Sequence, residues 1–404
     1  MKINKCPITG SEKSVTYLNL GNVPLVNNLC DQKEESLSCR KFPLAIQFFP
    51  ESRLTCLTEV VNKDDLFLNY LYSSGVNKPF LDHCEKMYSY LSRMIDFKDN
   101  DLVVDIGGND GSLLKEFRKE NWNLHYVNVD CSKSFIEINK KECIEYLNEY
   151  FCETTRFPFK AKLIVSTNVF QHTEPIRSFV QGIERNLSSE GVWCLEFPYV
   201  LTTLANDNYD QIYHEHIYYY CLKNIVDLLK QEGLRVVNVS YHDMHAGTLR
   251  VLSVKESSLR QPDSTILSFL NLESTLTEEY CVKWGERTHE KIKEFQVFIY
   301  NLSRKHKIAG FGAAAKGCVF LNTCGIDYNL IQFIIDDTPF KQGKFIPGTG
   351  IKVVSREILK SEKIDYILIL AHNFKDYIIK SLKNEYSGKF IVMFPNISII
   401  TNEK

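Results

Sequence analysis

The sequence lacks three features that would have narrowed its function at once. It has no apolar run of the roughly 18 residues that a membrane-spanning helix needs. Its 48 basic and 50 acidic residues give a formal net charge of -2, so no overall positive field favours nucleic acid or an anionic membrane. It also has no Cys-x-x-Cys pair, which argues against a thioredoxin-type redox site and a self-evident zinc site. We therefore predict neither nucleic-acid nor membrane partners.

The start of the chain shows no secretory pattern. Residues 1–6, Met-Lys-Ile-Asn-Lys-Cys, lack the apolar core of a signal peptide, so we expect a cytoplasmic protein. The 13 cysteines are odd in number and scattered through a long chain. This distribution is typical of reduced, mostly buried thiols rather than of a disulfide framework.

The hydropathy pattern changes character twice along the 404 residues, which predicts three domains. Residues 1–75 are short mixed segments with turns and indicate a small irregular domain. Residues 76–258 alternate strand-like and helix-like patterns, as the βαβ units of a parallel sheet do. Residues 259–404 open with a polar amphipathic helix over 272–306 and then repeat the alternation. We therefore predict an α/β protein with a central Rossmann-like domain and a second Rossmann-like domain at the carboxyl end.

A glycine-rich turn follows the first buried strand of the central domain. Residues 107–112 read Gly-Gly-Asn-Asp-Gly-Ser and lead from the strand-like segment 102–106 into a helical pattern. Glycines let the backbone turn tightly and approach a ligand at the carboxyl edge of an open sheet. The spacing differs from the dinucleotide fingerprint. The acidic Asp105 and Asp110 suit a cationic or uncharged ligand instead.

An acidic residue ends the next strand of this domain. Asp130 lies where a carboxylate can accept both hydroxyls of a ribose. A glycine loop paired with such an acid fits S-adenosylmethionine, which has a ribose and a sulfonium but no phosphate. The predicted cofactor-binding residues are Asp105, Gly107, Asn109, Asp110, Asp130, Tyr150, Phe151 and Asn168. The alternative interpretation is an ordinary strand-to-helix turn with a solvated aspartate.

The densest polar cluster spans residues 209–220, Tyr-Asp-Gln-Ile-Tyr-His-Glu-His-Ile-Tyr-Tyr-Tyr. A histidine has the ordinary pKa closest to neutrality and is suited to accept a proton. A metal site is one alternative, but His214 and His216 are two residues apart and would project oppositely on a strand. A purely structural cluster of tyrosines and histidines is the other alternative.

A second glycine turn opens the carboxyl-terminal alternation. Residues 310–317 read Gly-Phe-Gly-Ala-Ala-Ala-Lys-Gly, which is typical of a phosphate-binding turn with free backbone N–H groups, a helix N-terminus and a lysine. Lys341 and its neighbours add cations at what should be the same sheet edge. Together they predict an anionic, nucleotide-linked substrate. The alternatives are a nicotinamide-binding domain and a plain turn with a solvated surface.

These motifs, in this order, resemble the sugar C-methyltransferases that act on nucleotide-linked 4-keto deoxysugars. The resemblance runs nearly end to end and rests on several independent motifs. The matching segments are 20–25, 57–59, 105–111, 210–216, 310–316, 337–342 and 372–373.

The amino-terminal domain departs from that family. Its members carry two Cys-x-x-Cys pairs there, but only Cys6 matches a ligand, while Thr9, Phe49 and Ser52 align with the other three. A structural zinc needs four nitrogen or sulfur donors. We therefore predict that this domain holds no zinc and is stabilised by packing. The remaining cysteines of the region, which we do not expect to replace the ligands, are Cys30, Cys39 and Cys56.

The resemblance implies a mechanism. His216 is the candidate base that removes a proton from the carbon beside the sugar's keto group, expected to be C3. The resulting enolate carbon then attacks the sulfonium methyl. The other polar residues at matching positions, which would orient the base or stabilise the enolate oxygen, are Tyr213, Glu215, Tyr72 and His172.

The resemblance also implies a substrate site shared between two domains. Residues 245–250, His-Ala-Gly-Thr-Leu-Arg, resemble the family's His-Gly-Gly-x-x-Arg, with alanine in place of one glycine. The predicted substrate-binding residues are Glu196, Tyr199, His245, Gly247, Arg250, Gly312, Lys316, Lys341, Gln342 and Asn373.

Two other functions stay open on the sequence. O- or N-methyl transfer to a sugar nucleotide needs the same two binding domains but no ketone. A binding protein or scaffold is the non-enzymatic alternative, and it predicts losses in the central motifs that this sequence does not show.

Overall fold

A computed structural model describes residues 1–62, 66, 78–120, 123–244 and 247–401. The strands are β1 (Val15–Pro24), β2 (Lys41–Phe49), β3 (Leu54–Leu57), β4 (Leu102–Ile106), β5 (His125–Val129), β6 (Glu145–Leu147), β7 (Ala161–Thr167), β8 (Leu187–Pro198), β9 (Tyr218–Tyr219), β10 (Leu234–His242), β11 (Thr248–Lys255), β12 (Ile308–Phe311), β13 (Phe333–Ile335), β14 (Lys352–Val354), β15 (Tyr366–Ile369), β16 (Lys389–Val392) and β17 (Ser398–Thr401). The helices are α1 (Lys33–Ser38), α2 (Lys78–Met94), α3 (Ser112–Glu120), α4 (Ile136–Lys141), α5 (Ile176–Asn186), α6 (Val200–Ala205), α7 (Leu222–Gln231), α8 (Thr265–Leu272), α9 (Glu278–Ser303), α10 (Ala315–Thr323) and α11 (Lys375–Ser381).

The central sheet has seven strands in the order β10-β11-β8-β7-β4-β5-β6. Strands β4 to β8 are parallel, and β11 and β10 are added antiparallel at one edge. All five residues of β4 are buried. All but Asp105 are apolar, as expected of a strand that helices cover on both faces. The carboxyl ends of β4, β5 and β7 therefore meet at one sheet edge.

The carboxyl-terminal sheet has six strands in the order β14-β13-β12-β15-β16-β17. All neighbours are parallel except β17, which pairs antiparallel with β16. The predicted α/β fold class, with a Rossmann-like methyltransferase domain, is confirmed. Among the described helices, none combines the length and the apolar character that crossing a bilayer requires.

The amino-terminal region is more regular than the sequence suggested. Strands β1, β2 and β3 form an antiparallel sheet, and β9 from the central region joins it as the fourth strand. The pairing places Thr55 opposite Tyr219 and Cys56 opposite Tyr218. The segment that contains His216 is thus followed directly by a strand of the amino-terminal sheet.

The predicted helix over 272–306 corresponds to α9, which begins later, at Glu278, and ends at Ser303. Glu273 lies in the turn between α8 and α9, where its carboxylate accepts the backbone N–H groups of Leu222 at 2.5 Å and Lys223 at 2.8 Å and so caps α7. The long helix α9 begins after Thr277, whose hydroxyl accepts the backbone N–H of Tyr280 at 3.2 Å. An N-cap of this kind fixes where a helix starts. The predicted helix therefore started too early, at the last residue of α8.

Candidate active site

One cavity of about 800 Å³ lies where the three sheets meet. The central domain contributes the glycine loop and the segment around His216. The carboxyl-terminal domain contributes Ala314, Lys316 and Lys341, and the amino-terminal region contributes Asn27. The structure therefore brings the two predicted ligand sites into one space.

The glycine loop lies against the sheet edge with no room for side chains. A Cβ atom on Gly108 would lie 2.5 Å from Asn128 Oδ1 and 2.7 Å from Asp105 Oδ2. Gly107 has a φ of +71°, and Asn109 has a φ of +53°. Left-handed backbone of this kind favours glycine and asparagine. The loop is thus shaped so that its backbone lines the cavity.

Asp130 holds this loop from the neighbouring strand. One carboxylate oxygen accepts the backbone N–H of Asn109 at 3.0 Å, and the other accepts that of Ser132 at 2.8 Å. An ionised carboxylate has about four acceptor positions, so two contacts leave capacity for a ligand hydroxyl. Asp130 also lines the cavity.

Carboxyl groups surround this part of the cavity. Burial raises the pKa of Asp105 well above its usual value, and the charges of Asp130 and Asp110 add to the effect. Burial also raises the pKa of Asp130, against the two backbone hydrogen bonds that it accepts. Bringing a positive charge into the cavity would relieve this repulsion. The predicted preference for a cationic or uncharged ligand fits these surroundings.

Two asparagines that the sequence analysis did not single out support the loop. Asn128 and Asn139 each donate a hydrogen bond to the carbonyl oxygen of Asn109, both at 3.0 Å. Asn128 also donates to Asn139 Oδ1 at 2.9 Å. Both side chains are fully buried. These three bonds fix the loop geometry from inside the protein, and Asn128 Oδ1 is the one oxygen of the pair with no partner among the described residues. Asn128 stands between Val127 and Val129 on a buried strand, and a polar residue in such a strand is the one sequence signal that could have identified it.

Of the other predicted cofactor residues, three line the cavity and Asp110 does not. Tyr150 and Asn168 line it, and Asn168 has a φ of +55° with a buried Oδ1 that has no partner among the described residues. Phe151 lines it too, but it is largely buried against Phe179. Asp110 accepts the Ser112 hydroxyl at 2.5 Å.

His216 is buried at the edge of the cavity, and its ring nitrogens have separate partners. Nδ1 lies 3.2 Å from the carbonyl oxygen of Gln211, and Nε2 lies 2.7 Å from the hydroxyl of Tyr213. A carbonyl only accepts, so Nδ1 carries the proton and Nε2 accepts from Tyr213. Nε2 is therefore the unprotonated ring nitrogen, and its lone pair accepts the Tyr213 hydroxyl.

A second histidine stands beside this pair. The rings of His172 and His216 have centroids 5.0 Å apart. His172 Nδ1 donates to the backbone carbonyl of Glu215 at 2.6 Å. Burial lowers the pKa of His172, so its ring is neutral near pH 7. His172 thus fixes the backbone at Glu215, next to His216.

Glu215 receives its side-chain partner from the amino-terminal region. Asn27 Nδ2 donates to Glu215 Oε1 at 2.6 Å, across 188 residues of sequence. Burial raises the pKa of Glu215 to about 7, and the hydrogen bond from Asn27 limits the rise. The Glu215 carboxyl is therefore partly protonated at neutral pH. Nothing in the local pattern around Asn27 marked it as a site residue.

The cluster around His216 includes one histidine of a different kind. His214 Nε2 lies 3.3 Å and 3.2 Å from the carbonyl oxygens of Phe42 and Pro43 on β2. It is fully buried and is not among the residues that line the cavity. His214 therefore joins the segment around His216 to the amino-terminal sheet.

The carboxyl-terminal turn repeats the arrangement of the glycine loop with added cations. Gly312 has a φ of +96°, and a Cβ atom there would lie 2.7 Å from Ala371 Cβ. Asp336, at the end of the next strand, accepts the backbone N–H of Ala313 at 2.7 Å. Lys341 Nζ donates to the carbonyl oxygen of Ala313 at 2.8 Å and lies 3.6 Å from Asp336.

Lys316 has a charged group without a fixed partner. It stands in the first turn of α10, and its Nζ is buried with no hydrogen-bond partner among the described residues. Burial lowers the pKa of Lys316 to about 8, although the charge of Asp210 opposes that shift. An unpaired cation facing a cavity is suited to an anionic ligand.

Several predicted substrate residues lie elsewhere. Glu196 and Arg250 are fully buried and pair with each other at 2.7 Å, and neither lines the cavity. Burial by itself would raise the pKa of Glu196. The hydrogen bond from His83 and the charge of Arg250 have the larger combined effect, so the pKa of Glu196 lies below its usual value. Tyr199 is also buried, with its ring against Phe269.

The remaining predicted substrate residues are placed as follows. Gln342 Nε2 donates to the carbonyl oxygen of Asp336 and supports the turn from outside the cavity lining. Asn373 is exposed and does not line the cavity either. Gly247 has a φ of +109° and accepts the backbone N–H of Tyr199 at 3.0 Å. Tyr72 and His245 lie outside the described residues.

The four positions aligned with zinc ligands do not fit a zinc ion. Cys6 Sγ lies 3.2 Å from Ser52 Oγ, so two of these positions do come together, but one of them is a neutral hydroxyl. Within the described ranges, no group of three His, Cys, Asp or Glu side chains could hold a metal. The absence of zinc stays a prediction. Metal analysis of the purified full-length protein should find far less than one equivalent, and one equivalent bound by this domain would refute it.

Comparison with known families matches the chain in two adjoining parts. A model described as "Methyltransferase domain" matches residues 82–239, and one described as "C-methyltransferase C-terminal domain" matches residues 243–395. Among curated proteins, C-methyltransferase NovU of Streptomyces niveus is 28% identical over 416 aligned residues, which cover 99% of this chain and 98% of NovU.

Solved methyltransferase structures are similar over part of the chain. The methyltransferase in complex with the Trm112 activator of Haloferax volcanii is 16% identical, with a TM-score of 0.38, over 45% of this chain and 94% of its own. Magnesium protoporphyrin IX methyltransferase of Synechocystis PCC 6803, with bound SAH, is 12% identical, with a TM-score of 0.35, over 43% of this chain and 82% of its own.

Proposed function

Because this chain belongs to the family of S-adenosylmethionine-dependent C-methyltransferases, we propose that it methylates C3 of a nucleotide-linked 4-keto deoxysugar. The predicted enzyme class and cofactor are confirmed by the family matches. The observation that supports the sugar-nucleotide substrate is the single cavity of about 800 Å³. It joins the glycine loop, the segment around His216 and the cationic turn at Lys316.

The residues around the glycine loop fit the cofactor. Asp130 keeps acceptor capacity for ribose hydroxyls, and the loop at Gly108 leaves no side chain between backbone and ligand. A sulfonium beside Asp105 and Asp130 would favour their ionised forms, against the burial that raises the pKa of both carboxyls. When bound, S-adenosylmethionine supplies the methyl group that replaces a proton on the acceptor carbon.

His216 is the proposed general base. Its Nδ1–H is held by the carbonyl oxygen of Gln211, so Nε2 keeps the lone pair that can take a proton. The proton removed is the one on the carbon beside the ketone, because only an adjacent carbonyl can delocalise the resulting negative charge. The Tyr213 hydroxyl, 2.7 Å from Nε2, has to turn away from this lone pair for the substrate's proton to reach it.

Two donors of the same segment can stabilise the enolate oxygen. Tyr213 has one O–H, which turns from Nε2 to the enolate oxygen once Nε2 has taken the substrate's proton. Glu215, with a pKa raised to about 7 by burial, offers an O–H for part of the time at neutral pH. Loss of one donor to a developing oxyanion typically costs about 2.7–4 kcal/mol of transition-state stabilisation. We assign this role to Tyr213 and Glu215, with His172 holding the backbone beneath them.

The carboxyl-terminal turn is proposed to hold the diphosphate of the substrate. The amino-terminal end of α10, Lys316 and Lys341 all face the shared cavity. Backbone N–H groups at a helix start and a nearby ammonium are the usual partners of phosphate oxygens. Binding there would place the sugar toward His216.

The test is proton exchange in deuterated water. Wild-type enzyme incubated with a nucleotide-linked 4-keto deoxysugar should exchange the C3 proton, and adding S-adenosylmethionine should give a C-methylated product. His216→Asn should lose at least about a hundredfold in exchange and turnover while still binding cofactor, since general base catalysis contributes about 10²–10⁴-fold. His125→Asn, on an exposed histidine at the start of β5, is the matched control. Near-normal exchange by His216→Asn would sink the assignment, and methylation without exchange would indicate O- or N-methyl transfer.

A further inference from the structure

A buried ionic chain approaches the cofactor side of the cavity. Glu196 Oε1 accepts Arg250 Nε at 2.7 Å, and its other oxygen, Oε2, lies 2.7 Å from His83 Nε2. Glu196 and Arg250 are almost completely inaccessible to solvent. His83 is 8% exposed and lines the cavity. His83 is therefore the one member of this chain of three that reaches the ligand space.

The protonation of His83 follows from its partner. A carboxylate only accepts, so Nε2 carries a proton toward Glu196 in either charge state of the ring. Nδ1 has no partner among the described residues. If the ring is neutral, Nδ1 accepts a hydrogen bond. If it is cationic, Nδ1 donates one. Both partners exist on an amino-acid head group, which carries an ammonium and a carboxylate.

The strand order indicates which end of the cofactor reaches His83. The ribose acceptor Asp130 ends β5, and the glycine loop follows the adjacent β4. On the other side of β4 lie β7 and then β8, the strand that carries Glu196. A cofactor with its ribose at β5 that crosses the loop at β4 extends its methionine part toward β7 and β8. Helix α2 places His83 on that side by its bond to Glu196.

We propose that His83 binds the amino-acid head group of S-adenosylmethionine, with Glu196 and Arg250 as residues that position its ring. The site recognises an α-amino acid group rather than the adenosine part. Arg250 completes the charge balance around Glu196, so a buried carboxylate is not left unpaired. The inference uses only the cofactor and does not depend on the identity of the sugar.

Calorimetry with two cofactor-related ligands tests this assignment. S-Adenosylhomocysteine carries the amino-acid head group, whereas 5′-methylthioadenosine lacks it and keeps the adenosine part. His83→Ala and His83→Gln should weaken S-adenosylhomocysteine binding by about ten- to a hundredfold, the usual effect of one hydrogen bond to a charged group. Both variants should bind 5′-methylthioadenosine as the wild type does, which also shows that they fold.

Matched controls separate local from general effects. His242→Asn removes a histidine whose ring centroid lies 6.2 Å from that of His83 but which does not line the cavity. It should leave both affinities unchanged. Equal losses for the two ligands in the His83 variants, or no loss for either, would overturn the proposal.

A crystal structure of the unmutated enzyme with S-adenosylhomocysteine decides the question independently of any variant. The head group should lie within hydrogen-bonding distance of His83 Nδ1. A head group directed elsewhere would refute the assignment. A failed search for sugar methylation would leave this result unaffected, so the two hypotheses fail separately.

Discussion

The two glycine turns share a backbone design and differ in charge. In the central domain, Asp130 accepts the backbone N–H of Asn109 from across the strand ends. In the carboxyl-terminal domain, Asp336 accepts the backbone N–H of Ala313 in the same way. Within the part of the chain that the structure describes, only the second turn has a lysine next to its aspartate, with Lys341 Nζ 3.6 Å from Asp336. The comparison shows that the same strand-turn-helix backbone can favour a cationic or an anionic ligand, depending on a few surrounding side chains.

The largest expected loss of ligand binding comes from adding a Cβ atom to a glycine of either turn. Gly108→Ala would place a Cβ atom 2.5 Å from Asn128 Oδ1, so the loop must move and cofactor binding should be lost. Gly312→Ala, with its Cβ 2.7 Å from Ala371 and a left-handed φ, should instead abolish binding of a nucleoside diphosphate.

Calorimetry of both variants with S-adenosylhomocysteine and with dTDP provides the measurement. Each variant should keep the affinity of the undisturbed turn, which serves as its control for folding. Loss of both ligands in both variants would contradict the separation of the two sites.

Sequence alone predicted these turns because each depends on local order. A buried strand, glycines at its end and an acid at the end of the next strand occupy fewer than 30 residues in each domain, as in Asp105 to Asp130. The parallel sheet then places them at one edge. The contacts of Asn27 with Glu215 and of His83 with Glu196 join distant segments. No periodicity near Asn27 or His83 reveals such a partner.

The same limit applies to the predicted substrate residues. Glu196 and Arg250 look like charged groups beside a ligand in the sequence, but the fold pairs them in its interior. Alternation along β8 and β11 does not show whether a charge faces a cavity or a buried partner. The family resemblance could match the positions of these residues without showing their burial.

A smaller effect should come from the free cation of the second turn. Lys316→Ala should weaken dTDP binding by about tenfold, since one hydrogen bond to a charged group is removed. Burial lowers the pKa of Lys316 to about 8, so the wild-type affinity should fall as the pH rises through that value and the ammonium is lost.

Lys316→Arg sharpens this test because arginine stays charged well above pH 8. Its dTDP affinity should change less between pH 7 and pH 9 than that of the wild type. Lys360→Ala, on an exposed lysine of the same domain, is the matched control. A wild-type affinity that does not depend on pH would argue against Lys316 as the anion contact.

The smallest expected effect is a shift in the pKa of Glu215, whose partner Asn27 belongs to neither glycine turn. Asn27→Ala removes the hydrogen bond that favours the ionised form of Glu215, so the pKa of Glu215 should rise above its value of about 7. A shift of about half a unit to one unit is expected from one such bond. The limb of the pH profile of C3 proton exchange that depends on Glu215 should move to higher pH by the same amount.

The neighbouring Asn28 provides the control. Asn28→Ala changes a residue that does not line the cavity and should leave the profile in place. Glu215→Gln should remove the limb in both backgrounds. An unmoved limb in Asn27→Ala would show that the amide has no influence on the carboxyl.

The pairing of β9 with β3 has a practical consequence for dividing this protein. A shortened chain that begins at the methyltransferase match at residue 82 would keep the whole glycine loop. It would nevertheless lose the strand that pairs with Tyr218 and Tyr219, as well as the carbonyl oxygens that hold His214. Such a fragment should therefore keep its affinity for the cofactor and lose turnover. A chimeric enzyme that uses the central domain should therefore include residues 1–60 as well.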